Sequence, residues 1–200
     1  MLRFFHILLG LLLAGNCFSQ YNWKLEKNEQ GIRVYAADVP HSDFKAIKVE
    51  ATFTGDYTKL INILWDVSNF SNWIYHSKKS KLLQKRSANE YIYHTETLLP
   101  WPISNREAVI RVQFNTDSLP ALLTITGTGL QGLLGKTDGL VRVNQYKASW
   151  RVTMPAPKTL QIRYEITLDP GGSIPGWIAN MFVTRGPFET FVNLAKKLKE

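Results

Sequence analysis

The sequence predicts an α+β domain in which a curved antiparallel sheet wraps a long C-terminal helix, and three observations predict it. Leu160, Ile162, Tyr164, Ile166 and Leu168 alternate with Thr159, Gln161, Arg163, Glu165 and Thr167, the period of a half-buried strand. Ile178, Met181, Phe182, Phe188, Val192, Ala195 and Leu198 then recur at helical spacing almost to the C-terminus. Between them, Asp169-Pro170-Gly171-Gly172 is a strong turn and Pro175 suits the first turn of a helix. A last strand handed over to a long helix in this way can leave a hollow where other domains have packed core.

The remaining elements follow in order. Trp23 to Asn28 and Ile32 to Ala36 read as paired strands around the Glu29-Gln30-Gly31 turn, and Phe44 to Thr54 as a longer strand. Asp56 is placed to cap a helix over Tyr57 to Trp65, with Leu60, Ile61 and Leu64 as its buried stripe. A polar and aromatic connection over 66–77 has room for a second short helix. Strand-like runs follow near 81–86, 90–98, 105–115, 120–127, 139–153 and 158–168, separated by turn chemistry. Strands, a helix, a block of strands and a final helix are segregated elements, so the class is α+β and not alternating parallel units. Gly186-Pro187 falls inside the last helix, where proline removes a backbone bond and either kinks the helix or divides it in two.

Residues 1–19 read as a secretory leader: Arg3, an apolar run from Phe4 to Ala14, then Cys17 and Ser19 as the small residues before a cut at Ser19-Gln20. The apolar run is too short to span a membrane. Lipid anchoring at Cys17 ranks below simple secretion, because Asn16 is a poor neighbour for a lipidated cysteine. The expected mature chain, residues 20–200, is one domain with a periplasmic or extracellular destination. It retains no cysteine, which excludes disulfides and thiol catalysis. The whole chain has 24 Lys+Arg against 16 Asp+Glu, a formal net charge of +8, and the leader contributes only Arg3 to it. Such a charge suits transient contact with an anionic membrane surface. The charges are scattered, and the one dense group, Lys78, Lys79, Lys81, Lys85 and Arg86, reads as a solvated edge. No nucleic-acid partner is expected, and a monomer is.

Pro100-Trp-Pro-Ile-Ser-Asn-Arg-Glu107, then Val141-Arg-Val143, Ser149-Trp150, Tyr164 and Asp169 through Asn180 together resemble the START family of lipid-transfer domains over essentially the whole expected mature chain. The resemblance implies a helix-grip fold with a tunnel for one lipid or other apolar molecule, and no cofactor. Two departures stand out: Glu107 occupies a place where the family usually has Asp, and the N-terminal region is short.

Strand parity supports a cavity independently. Arg106 shares a face with Ala108, Ile110, Val112 and Phe114, whereas Glu107, Arg111 and Gln113 lie on the other. An arginine on an apolar face needs a partner. Glu96, with the parity of Ile92 and Leu98, is the nearest candidate, and a Glu96–Arg106 pair either orients a ligand's polar end or is a purely structural bridge. The expected lining is Glu96, Arg106, Leu98, Trp101, Ala108, Ile110, Val112, Tyr164, Ile178 and Phe182.

Gly127-Thr-Gly129-Leu-Gln-Gly132 matches GxGxxG, but no helix pattern follows and Lys147 stands where an acidic residue would be needed. A loop exposing Leu130, Leu133 and Leu134 is the better reading, either as a gate, as a membrane contact or as ordinary packing. His41, His76 and His94 lack ligand spacing, so no metal site is expected. The six tryptophans read mainly as core or lining, with Trp101 and Trp177 at element junctions. The leading expectation is a non-enzymatic carrier of a lipid or other hydrophobic small molecule. The alternative is a cyclase or dehydratase on the same fold, using Glu96 as acid or base and Tyr164 as donor. A module gripping a partner helix is the third.

Overall fold

The computed structural model describes residues 21–143, 145–175, 178 and 181–200. The expected leader with Cys17, the cut beside Gln20, and Trp177 lie outside the described residues. The strands are β1 (Lys24–Glu29), β2 (Ile32–Ala37), β3 (Ala46–Thr54), β4 (Ser77–Lys85), β5 (Glu90–Thr97), β6 (Arg106–Asn115), β7 (Leu123–Gly129), β8 (Val141–Arg142), β9 (Gln145–Ala156) and β10 (Thr159–Asp169). Helix α1 (Tyr57–Trp65) runs into a 3-10 turn, Val67–Asn72. A wide π-type turn, Met181–Arg185, leads into the C-terminal helix α2 (Gly186–Lys199).

The strands form one curved sheet in the order β1-β2-β3-β10-β9-β7-β6-β5-β4, with antiparallel neighbours throughout. The run expected near 139–153 divides in two. Its first piece, β8, pairs parallel with the start of β6, Arg106 opposite Val141 and Glu107 opposite Arg142. The lysine-rich run belongs to β4, an edge strand with mostly exposed side chains, and charged edges discourage pairing with other chains.

Asp56 caps α1 as its sequence position requires, accepting from the Lys59 amide at 2.8 Å. Tyr57, Leu60 and Leu64 are the buried face, with Ile61 only half-buried. Asp56→Ala is expected to lower stability by about 1 kcal/mol; a chemical denaturation curve with an unchanged slope and an earlier midpoint would show it.

Helix α2 begins at Gly186 and sets Pro187 in its first turn, where a missing amide proton costs no helical bond. Proline therefore neither kinks nor breaks a continuous α-helix here. The wide turn before it absorbs the change and re-phases the helix. Phe188, Phe191, Leu194 and Leu198 face the sheet, while Val192 and Ala195 from the expected stripe are half-buried. Close approach is built in at Gly55, where an added Cβ would lie 3.1 Å from Leu198 Cδ2.

Candidate ligand cavity

Between the concave face of the sheet and α2 lies a cavity of about 520 Å³. That is within the range of roughly 300–1,000 Å³ typical of small-molecule sites. Strand parity decides what lines it. On β6, Arg106, Ala108, Ile110 and Val112 face the hollow. On β5, paired with it in antiparallel register, Tyr91, Tyr93, Thr95 and Thr97 do so. Tyr164 and Trp150 line it from β10 and β9, while Phe182 and Phe191 close it from the C-terminal segment. Phe191 stacks on Trp150 with ring centroids 5.5 Å apart and an interplanar angle of 15°.

Six of the ten expected lining residues therefore border the cavity: Arg106, Ala108, Ile110, Val112, Tyr164 and Phe182. Four do not. Glu96 sits on the opposite face of β5, directly across from Glu107, and its carboxylate is 3.4 Å from Lys78 Nζ. Leu98 shares that parity and is 39% exposed, Trp101 at the tip of the following turn is 91% exposed, and Ile178 is fully buried without bordering the cavity. The expected Glu96–Arg106 pair is thus corrected, because neighbouring parity separates the two side chains by the thickness of the sheet.

Arg106 finds its partners in backbone carbonyls instead. Its Nε donates to Pro170 O at 3.1 Å, Nη2 to Gly171 O at 2.8 Å, and Nη1 to Ser104 O. Burial lowers its pKa, but arginine stays charged at any physiological pH. The Asp169-Pro-Gly-Gly turn is shaped for this contact. Gly171 and Gly172 both have positive φ, +70° and +64°, a conformation that suits glycine. The Asp169 carboxylate accepts from the Gly171 amide at 2.8 Å.

On the convex face, β6 carries a buried ionic centre that sequence reasoning missed. Glu107, with no side-chain exposure, accepts at Oε1 from Arg142 Nη2 at 2.8 Å, Arg142 Nε at 3.1 Å and the Thr137 amide at 3.0 Å. Its Oε2 accepts from Thr137 Oγ1 at 2.7 Å and His94 Nε2 at 2.9 Å. Burial pushes this carboxyl up, but the bonds from Thr137, His94 and Arg142 outweigh it and hold its pKa at about 2. Arg142 also donates to Leu134 O and Gly135 O, at 3.2 and 2.9 Å. The loop carrying Leu130, Leu133 and Leu134 is consequently tied to the sheet, with Leu133 and Leu134 40% and 38% exposed.

Tyr93 and Tyr146 are cavity residues with no place in the sequence-based lining. The available signal is the pair of in-strand glycines already noticed for another reason. An added Cβ at Gly127 or Gly129 would come within 3.1 Å of the Tyr146 side chain, so these glycines make room for that ring. Among the described residues no group of three or more His, Cys, Asp or Glu is arranged to hold a metal ion.

Comparison with known proteins agrees with this geometry. The START domain family model matches residues 8–200. An uncharacterized protein of Pseudomonas aeruginosa is 30% identical over 188 residues, covering 91% of this chain and 89% of that one. The mouse phosphatidylcholine transfer protein is 24% identical over 169 residues, covering 82% of this chain and 78% of its own. The crystal structure of a STAR-related lipid transfer protein from Xanthomonas axonopodis superposes with a TM-score of 0.80 at 28% identity, over 89% of this chain and 99% of that one.

Proposed function

The chain belongs to the START domain family, and on that footing we propose that it encloses a lipid or other hydrophobic small molecule between sheet and α2 and carries it outside the cytoplasm. The observation that carries this reading is the cavity of about 520 Å³ itself, walled by Tyr91, Trp150, Tyr164 and Phe191 where a filled interior would otherwise be. Relatives named as phosphatidylcholine and STAR-related lipid transfer proteins support the same class of ligand. Enclosing some 300 Å² of apolar ligand surface would contribute roughly 7 kcal/mol before ordering costs.

Because the Glu107 network fastens the loop from Gly129 to Asp138, entry is proposed past the start of α2, where Phe182, Gly186 and Pro187 border the hollow. Leu133, Leu134 and the exposed Trp101 would then touch an anionic membrane surface transiently. Secretion through cleavage near Ser19-Gln20 completes the proposal. The cyclase or dehydratase alternative loses its acid–base residue, since Glu96 is across the sheet. Among the described lining residues the one carboxylate, Asp43, stands exposed.

The test is solvent extraction and mass spectrometry of the protein purified with its own N-terminal segment in place. A lipid recovered at about one per chain, and lost in Ala108→Trp, is the expected result. Absence of any apolar molecule, together with failure to take up lipid from vesicles, would end the proposal.

A further inference from the structure

Resting on the carrier reading above, the polar groups of the cavity define what class of lipid it holds. Among the described lining residues three bear formal charge: Asp43, Lys45 and Arg106. Asp43 and Lys45 are exposed, and Lys45 Nζ donates to Asp38 at 2.8 Å. Arg106 donates three of its five N–H groups, one from each nitrogen, to the carbonyls of Ser104, Pro170 and Gly171. Among the described lining residues a phosphate drawn into the hollow would therefore meet one buried cation, already donating to three carbonyls with which the anion would have to compete, whereas an uncharged polar end needs no such exchange.

What the interior does offer is phenol. Tyr93, Tyr146 and Tyr164 all line the cavity. Their hydroxyls lie close enough to influence one another, with Tyr164 interacting with Tyr146 and both with Tyr93. Tyr91, which also lines the hollow, has committed its proton to Leu64 O at 2.5 Å. Burial raises the pKa of Tyr93, Tyr146 and Tyr164 alike. They stay neutral hydroxyls, each able to give one hydrogen bond and accept others.

We propose that the cavity selects an uncharged lipid whose polar end is a hydroxyl or carbonyl oxygen, held by the cluster of Tyr93, Tyr146 and Tyr164, in preference to a phospholipid. The glycines at 127 and 129 are part of the same device, because they give the Tyr146 ring its place beside β7.

The proposal is tested with two fluorescent lipids of identical acyl chains, a diacylglycerol and a phosphatidylcholine, each offered in neutral vesicles to the purified protein. The expected result is uptake of the diacylglycerol with at least tenfold higher affinity, unchanged between pH 6 and pH 9. The double variant Tyr146→Phe/Tyr164→Phe, which keeps both rings, should weaken diacylglycerol about tenfold and leave binding of a hydrocarbon probe without oxygen unaltered. Phosphatidylcholine taken up as well as diacylglycerol, or better, would overturn this inference while sparing the carrier reading, and it needs no variant to be seen. An unweakened double variant would overturn it too. Uptake of neither lipid would overturn both.

Discussion

Glu107→Ala is expected to lose about 3–5 kcal/mol of folding stability, the penalty for leaving a buried charge without its counterion. Removing the carboxylate strands the Arg142 guanidinium, whose side chain is 3% exposed, together with His94 Nε2 and the Thr137 amide. Glu107→Gln keeps the shape but not the charge and should be intermediate. A pH signature accompanies the loss. The folded carboxyl has a pKa of about 2 against an ordinary value of 4.5, so the unfolded chain binds its proton more readily. The stabilisation is therefore complete above about pH 4.5 and declines as pH falls toward 2. Glu107→Gln should flatten that part of the stability curve. Denaturant melts of the two variants between pH 2 and pH 7 test both statements. A loss under 1 kcal/mol for Glu107→Ala, or an unchanged acid limb for Glu107→Gln, would show that the network contributes little. Hydrogen exchange at the Thr137 amide should accelerate in both variants, since its hydrogen bond to Oε1 is one of those that hold the loop down.

That ionic centre also explains where the sequence could be read and where it could not. On β10 and β6, alternation was a sound guide, because in each the apolar parity faces the hollow and the opposite parity carries most of the polar residues. Arg106, Ala108, Ile110 and Val112 fell on the right side for that reason. On β5 the same reasoning misplaced Glu96, because both faces are covered. Tyr91 and Tyr93 are buried toward the cavity, Ile92 and His94 are buried toward the convex side. With two dry faces the period of two marks a strand but not its inside. The loop that covers the convex side is held by a contact across 30 residues, Thr137 to Glu107, that no local pattern encodes. Arg106 posed a related difficulty. Two of its three partners are carbonyls of a turn 64 and 65 residues on, and carbonyls are present at every residue, so composition does not single them out. Asp-Pro-Gly-Gly was legible as a turn; that it receives an arginine was not. For α2 the error was one of phase: the wide turn at Met181–Arg185 interrupts the 3.6-residue period, so the buried stripe after it cannot be extrapolated from before it.

Phe191→Ala carries the other large effect, and it separates the two roles of α2, completing the core and closing the cavity. Phe191 is 1% exposed. Its ring centroid lies 5.5 Å from that of Trp150, 5.8 Å from Tyr164 and 6.3 Å from Phe53. It joins the helix to β9, β10 and β3 at once. Truncation removes this apolar area and leaves space that aromatic neighbours fill only in part, at a cost of about 3–5 kcal/mol. In a chain of this size that corresponds to a fall in Tm of roughly 10 °C. Val192→Ala, one position on but half-buried, should change stability far less and is the matched control. Phe191 also borders the hollow, so the variant enlarges the site it destabilises. A hydrophobic ligand that occupies the new space should then raise the Tm of Phe191→Ala by more than it raises that of the native chain, since stabilisation by a ligand grows with its affinity for the folded state. Thermal melts of both proteins with and without vesicle-delivered lipid decide it. A loss no greater than that of Val192→Ala would mean that α2 is not anchored through this ring. An equal ligand-induced rise in both proteins would mean that the bound molecule lies away from it.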